Sequence, residues 1–202
     1  MALTNAQMLL GTAPAAPSDT GYQIPRSLRF VMGDSTRLYR TFLADGDLRT
    51  GTHSFWFKKV DPTQAPNVGI VSSKVDSDTF FDLHWENTAQ FAMFNMHTYP
   101  SNADGYSTIP QFRDPGGWTH YCVVWDTRDT TAISRFRMFI NGKEHARTGL
   151  SNWEPGLNDE GYWGRANIHE IGRLDLSGWN YMNGYMADYR YIDGWKPTIT
   201  NG

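Results

Sequence analysis

The chain has 202 residues and a formal net charge of −3, which leaves no basic excess to neutralise a phosphate backbone or an anionic membrane surface and excludes nucleic acid as an expected partner. Aromatics make up 14% of the residues, cut by 19 Gly and 10 Pro, and large side chains broken up by turn formers favour strands over helices. The single cysteine, Cys122, rules out an intrachain disulfide and reads as a small buried side chain in the apolar run Tyr121 to Trp125.

Residues 1–26 read as an extended N-terminal arm, punctuated by Gly11, Pro14, Pro17, Ser18, Gly21 and Pro25. Its one large apolar cluster, Met8, Leu9 and Leu10, supplies the candidate assembly anchors. The opening residues lack a basic segment, and Thr4, Asn5 and Gln7 interrupt the apolar run, so no signal peptide is expected. No stretch approaches membrane-spanning length, so no membrane insertion is expected either.

Residues 27–202 read as one domain built from strands. In chain order the apolar runs predict strands over Ser27 to Val31, Arg37 to Leu43, Thr52 to Val60, Val68 to Ser73 and Thr79 to Glu86. Further strands follow over Gln90 to Thr98, Trp118 to Thr127, Ile133 to Asn141, Ile168 to Arg173 and Gly184 to Asp193. Such a series predicts an all-β fold, a two-sheet antiparallel jelly-roll sandwich. Phe136, Met138 and Ile140 alternate with Arg135 and Arg137, which makes a one-sided strand ending in the hairpin signal Asn141-Gly142. The strand before it is apolar on both faces, with Trp118, Cys122 and Val124 opposing Tyr121, Val123 and Trp125, so it belongs in mid-sheet with Trp118 expected to be buried.

These two strands carry a family resemblance. Gly117-Trp118-Thr119-His120, Trp125-Asp126 and the run Arg135 to Gly142 resemble the paired strands of laminin-G-like, concanavalin-A-like jelly rolls. Ser27 to Phe30, Leu38 to Phe42 and Thr52 to Lys59 resemble the opening of such proteins encoded by tailed bacteriophages, especially marine ones. Glu170 to Arg173 and Asn183 to Gly194 resemble their closing block, with Met182, Asn183 and Asp188 departing from the usual residues. The resemblance implies a non-enzymatic virion structural protein, assembled in the host cytoplasm. Capsid decoration is favoured over a tail fibre, because no heptads or shaft repeats are present. Its partners would be major capsid or tail proteins and further copies of itself, a trimer among the options. The alternative is a tail-fibre, lectin-like module that recognises a host glycan.

Catalytic signals are missing. Glycoside hydrolases of this fold place paired carboxylates on one strand as Glu-x-Asp-x-x-Glu, to flank one glycosidic bond, and that motif does not occur. A nucleophile elbow, a zinc-binding His-Glu-x-x-His and a phosphate loop are also absent. No catalytic residue, cofactor or metal is therefore assigned, although Asp45, Asp47, Asp76 and Asp78 fall in turn-like segments where carboxylate oxygens would suit calcium. The candidate ligand face is Asp82, His84 and Glu86, which alternation sets opposite Phe81, Leu83 and Trp85. The plainer reading of that face is a solvated surface or a subunit contact. Trp153, Trp163, Trp179 and Trp195 lie in Gly- and Asn-rich stretches, where they serve either as binding platforms or as pins that hold loops to the sandwich. Gly149 to Arg165 is the longest stretch without strand pattern and the first choice for a binding loop.

Overall fold

The computed structural model describes residues 23–60, 68–76, 79–85, 93–95, 116–145, 155–174 and 181–198. These residues form two antiparallel sheets. The larger, in spatial order, consists of β1 (Leu28–Phe30), β11 (Gly184–Asp193), β3 (Thr50–Lys59), β7 (Thr119–Asp126), β8 (Phe136–Ile140) and β9 (Lys143–His145). The smaller consists of β2 (Leu38–Thr41), β10 (Ile168–Ile171), β4 (Val68–Lys74), β5 (Phe80–Trp85) and β6 (Met93–Asn95). This is a two-sheet jelly-roll sandwich, as the strand spacing predicts.

Period-2 alternation decides what lies between the sheets. Phe55 and Phe57 of β3, Tyr121, Val123 and Trp125 of β7, and Phe136, Met138 and Ile140 of β8 are all buried in one cluster with Val71, Phe81 and Leu83 of the smaller sheet. The strand expected in mid-sheet, β7, does pair on both sides, with β3 and with β8. Its buried indole is Trp125, only 1% exposed. Trp118 corrects the expectation of a buried anchor: it stands one residue ahead of β7, half-buried, with its ring 6.5 Å from that of Tyr185. The cause is parity, since the inward residues of β7 are the odd-numbered ones and Trp118 shares its face with His120.

The Asn141-Gly142 signal is a genuine tight turn, with φ of 50° and 76° at the two residues, and it joins β8 to the short strand β9. That strand was not foreseen, because Lys143-Glu144-His145 has no apolar alternation. The predicted start of β8 at Ile133 is corrected to a 3₁₀ turn at Ala132–Ser134, which leaves Ile133 exposed. In β11 the register slips between Ala187 and Arg190, and Asp188 within that bulge takes a φ of 51°. Asp enters this left-handed region more readily than most residues, because its short side chain hydrogen-bonds locally. The bulge accounts for the Asp at this point in the closing block.

Candidate functional site

The smaller sheet has one face in the core and one face outward, and the outward face gathers polar groups from strands far apart in sequence. Strand register lines them up: Tyr39 of β2 pairs with Glu170 of β10, Glu170 with Ser72 of β4, and Ser72 with Asp82 of β5. The result is one row of hydrogen-bonding side chains across four strands. At its β2 end the row opens into a cavity of about 360 Å³ lined by the polar Arg37, Tyr39, Ser72, Lys74, Glu170 and Arg173 together with the apolar Val75 and Ile168.

The groups in this cavity are held in place. The Glu170 carboxylate is nearly sealed from solvent and takes an ion pair from Arg37 Nε at 3.1 Å and another from Arg173 Nη1 at 3.8 Å. Arg37 donates from Nη1 to the Tyr181 hydroxyl at 3.3 Å, and its guanidinium lies 5.6 Å from the centre of the Tyr39 ring. Arg173 lies 5.3 Å from the Tyr181 ring, while its backbone carbonyl accepts from the Ser72 hydroxyl at 2.7 Å. Tyr39 is 68% exposed, so its ring is presented to solvent beside this fixed polar frame. Such a site offers a flat apolar surface next to donors and acceptors with set directions.

Asp82 and His84 share the outward face as alternation requires, but they are 0% and 1% exposed and hydrogen-bonded to each other. This corrects the reading of a solvated face: the pair is a buried polar extension of the row and presents no open surface of its own. Glu86, Met8, Leu9 and Leu10 lie outside the described residues, as do Asp78, Trp153 and Trp179. Glu170 and Asp82 stand two strands apart, roughly 10 Å at the usual strand spacing, and each is already committed to a cationic or imidazole partner. A general acid and a nucleophile flanking one bond are not set up by these two carboxylates.

The inward face of β10 meets a second opening of about 290 Å³ between the sheets, bordered by Leu38, Phe42, Trp163, His169, Tyr189 and Tyr191. Trp163 is 3% exposed, so it is a core pin, whereas Trp195 is 48% exposed. The Trp163 indole is flanked by His53 and His169, each 4.6 Å away in edge-on geometry. Burial, reinforced by the charge of His169, lowers the His53 pKa to about 3, and burial lowers that of His169 to about 4. Both rings are thus neutral at physiological pH. His169 Nε2 accepts from the Gly164 amide at 3.0 Å and Nδ1 faces the Asn167 carbonyl at 3.0 Å, a pattern that fits only the neutral tautomer with its proton on Nδ1.

The turn aspartates are occupied by the chain itself. Asp45 accepts from the Ala166 amide at 2.6 Å, and Asp47 accepts from the amides of Arg49 and Thr50 and pairs with Arg128 at 2.9 Å. Among the described residues no group of three or more His, Cys, Asp or Glu is placed to hold a metal ion.

Sequence reasoning named Asp82 and missed Tyr39, Arg37, Glu170 and Arg173. Their alternation in Arg37-Leu38-Tyr39 and Ile168-His169-Glu170 was visible, but the pairing of β2 with β10 joins segments about 130 residues apart, and no local pattern encodes that.

Residues 34–194 match the family described as the concanavalin A-like lectin/glucanases superfamily, of laminin G type. Among solved structures, domains LG4-5 of the mouse laminin alpha1 chain align with a TM-score of 0.56 at 10% identity, over 89% of this chain and 44% of that one. A heptameric SAP-like pentraxin from Limulus polyphemus aligns with a TM-score of 0.52 at 16% identity, over 82% and 74% of the two chains. The CBM40 domain of the Ruminococcus gnavus IT-sialidase, bound to alpha2,3 sialyllactose, aligns at 0.46 and 15% identity, over 79% and 91%. No curated protein matches the sequence significantly. The family match covers most of the chain and agrees with a two-sheet jelly roll built from the same residues, so the protein belongs to the concanavalin A-like lectin/glucanases superfamily.

Proposed function

We propose that the protein is a non-catalytic, lectin-like module that binds glycan on the outward face of its five-stranded sheet. The observation that carries this reading is the cavity of about 360 Å³ in which the exposed Tyr39 ring stands beside Arg37, Ser72 and Glu170. A sugar ring has an apolar C–H face and a rim of hydroxyls, and it is recognised by an aromatic surface for the first and fixed donors and acceptors for the second. Membership of a lectin and glucanase superfamily supports the ligand class, and the commitment of Glu170 and Asp82 to structural partners supports binding without cleavage. The test is a glycan array probed with the full chain and with Tyr39→Ala. Loss of the bound spots at an unchanged melting temperature is the expected result, and binding that survives the substitution would refute the site.

A second reading concerns where such a module works. The sequence resemblance of Ser27 to Trp195 to phage-encoded proteins supports a virion-surface protein, decorating a capsid or forming part of a tail fibre, that docks through residues 1–26. The one structural observation in its favour is that β2, at the edge of its sheet, has all four residues exposed, a place where an extended segment of a neighbour can add as a strand.

A further inference from the structure

We infer that the ligand of this site is an acidic glycan, whose carboxylate or sulfate oxygens sit among Arg37, Lys74 and Arg173; the inference rests on the glycan reading above. Among the described residues that line the cavity, three are basic and one, Glu170, is acidic. The protein as a whole is acidic, with a net charge of −3, so this local excess runs against the average of the surface. A lined recess of one sign raises the local concentration of the opposite ion.

Glu170 orders the two guanidinium groups without cancelling them. It meets Arg37 through Nε and Arg173 through Nη1, and the aromatic rings of Tyr39 and Tyr181 lie within cation–π distance of Arg37 and Arg173 respectively. Arg37 spends Nε on Glu170 and Nη1 on the Tyr181 hydroxyl, and its Nη2 has no hydrogen bond among the described residues. Its side chain is about one-third exposed (35%). A pre-positioned guanidinium with donors to spare suits the planar, paired oxygens of a carboxylate or the oxygens of a sulfate, and loses little conformational entropy on engaging them. A neutral sugar would meet those donors through hydroxyls alone, without a charge-assisted bond on both sides. Tyr39, beside it, supplies the apolar half of the contact.

The experiment is calorimetric titration of the full chain with three oligosaccharides of equal length: a galacturonate oligomer, a sulfated galactan oligomer and a neutral galactan oligomer. The acidic probes, or one of them, should bind at least about tenfold more tightly than the neutral one, with an advantage that shrinks as salt is raised from about 50 to about 300 mM. Arg37→Gln and Lys74→Gln should each weaken the acidic probes at least about fivefold more than the neutral one, so that most of the preference and its salt dependence are lost. Which acidic probe wins distinguishes carboxylate from sulfate. Equal binding of neutral and acidic probes, or a preference untouched by both substitutions, overturns the inference and leaves the glycan reading standing. Failure of all three probes to bind, with Tyr39→Ala indistinguishable from the parent, overturns both.

Discussion

Gly51 and Trp125 face each other across the pairing of β3 and β7, and a Cβ placed at Gly51 would lie 2.4 Å from Trp125 Cζ2. The indole therefore occupies space that only glycine leaves open. Trp125→Ala should cost about 3 to 5 kcal/mol by emptying the centre of the core. Gly51→Ala should cost about 1 to 3 kcal/mol by forcing the indole aside. Trp118→Ala should cost well under half of the Trp125 value, since its ring is half-buried and ahead of the strand. Urea denaturation of the three variants checks this order. A larger loss at Trp118 than at Trp125 would mean that the core is centred elsewhere. The histidines around Trp163 set a dependence on pH. Their folded pKa values, about 3 for His53 and about 4 for His169, lie below the ordinary 6.5, so the unfolded chain binds more protons at acid pH. The contribution of these two rings is complete above about pH 7 and is lost as pH drops from about 6.5 towards 4, by up to roughly 1.4 kcal/mol per pH unit for each ring. In His53→Gln the acid limb should become shallower in the same series of melts, while His120 and His145, whose pKa values burial also lowers, keep part of it. A limb unchanged by that substitution would assign the acid sensitivity to other groups.

At the scale of elements, β5 shows what alternation encodes and what it leaves out. Its pattern predicted correctly that Phe81 and Leu83 face the core and that Asp82 and His84 share the other side. It did not predict that the other side is buried, because burial of an outward face depends on segments remote in sequence. The difference has a measurable consequence. A solvated Asp82 could be changed at little cost, whereas Asp82→Ala in the buried pair removes the carboxylate hydrogen-bonded to the His84 imidazole and should destabilise the domain by about 1 to 3 kcal/mol. A melting curve within a degree of the parent would contradict the buried placement. The strands with aromatic or β-branched alternation, β3, β4, β7, β8 and β11, were legible to within a few residues. β9 was not, because its three polar residues are a strand only by virtue of the Asn141-Gly142 turn that folds them back on β8. The site was half legible for a related reason: each strand displays its outward residues, but the neighbour order β2-β10-β4-β5 that lines up Tyr39, Glu170, Ser72 and Asp82 is a property of topology.

For the whole molecule, the two proposed roles meet at β2, whose outward face carries Tyr39 and whose free edge is the place for a neighbour's strand. Glycan recognition belongs to the outward face of the smaller sheet, and assembly belongs to residues 1–26. A chain that begins at Ser27 should keep its melting temperature and its glycan binding while failing to join a particle or oligomer. Loss of folding in that chain would make the segment part of the sandwich, and normal assembly would make it dispensable. The central claim, that the row from Tyr39 to Asp82 is a binding face, is tested most directly by mapping amide chemical-shift changes in the full chain on titration with a glycan selected from the array. Shifts concentrated at Arg37, Tyr39, Ser72, Lys74, Glu170 and Arg173 are the predicted result. Shifts confined to the opposite sheet or to the loops, with those six residues unmoved, would contradict it.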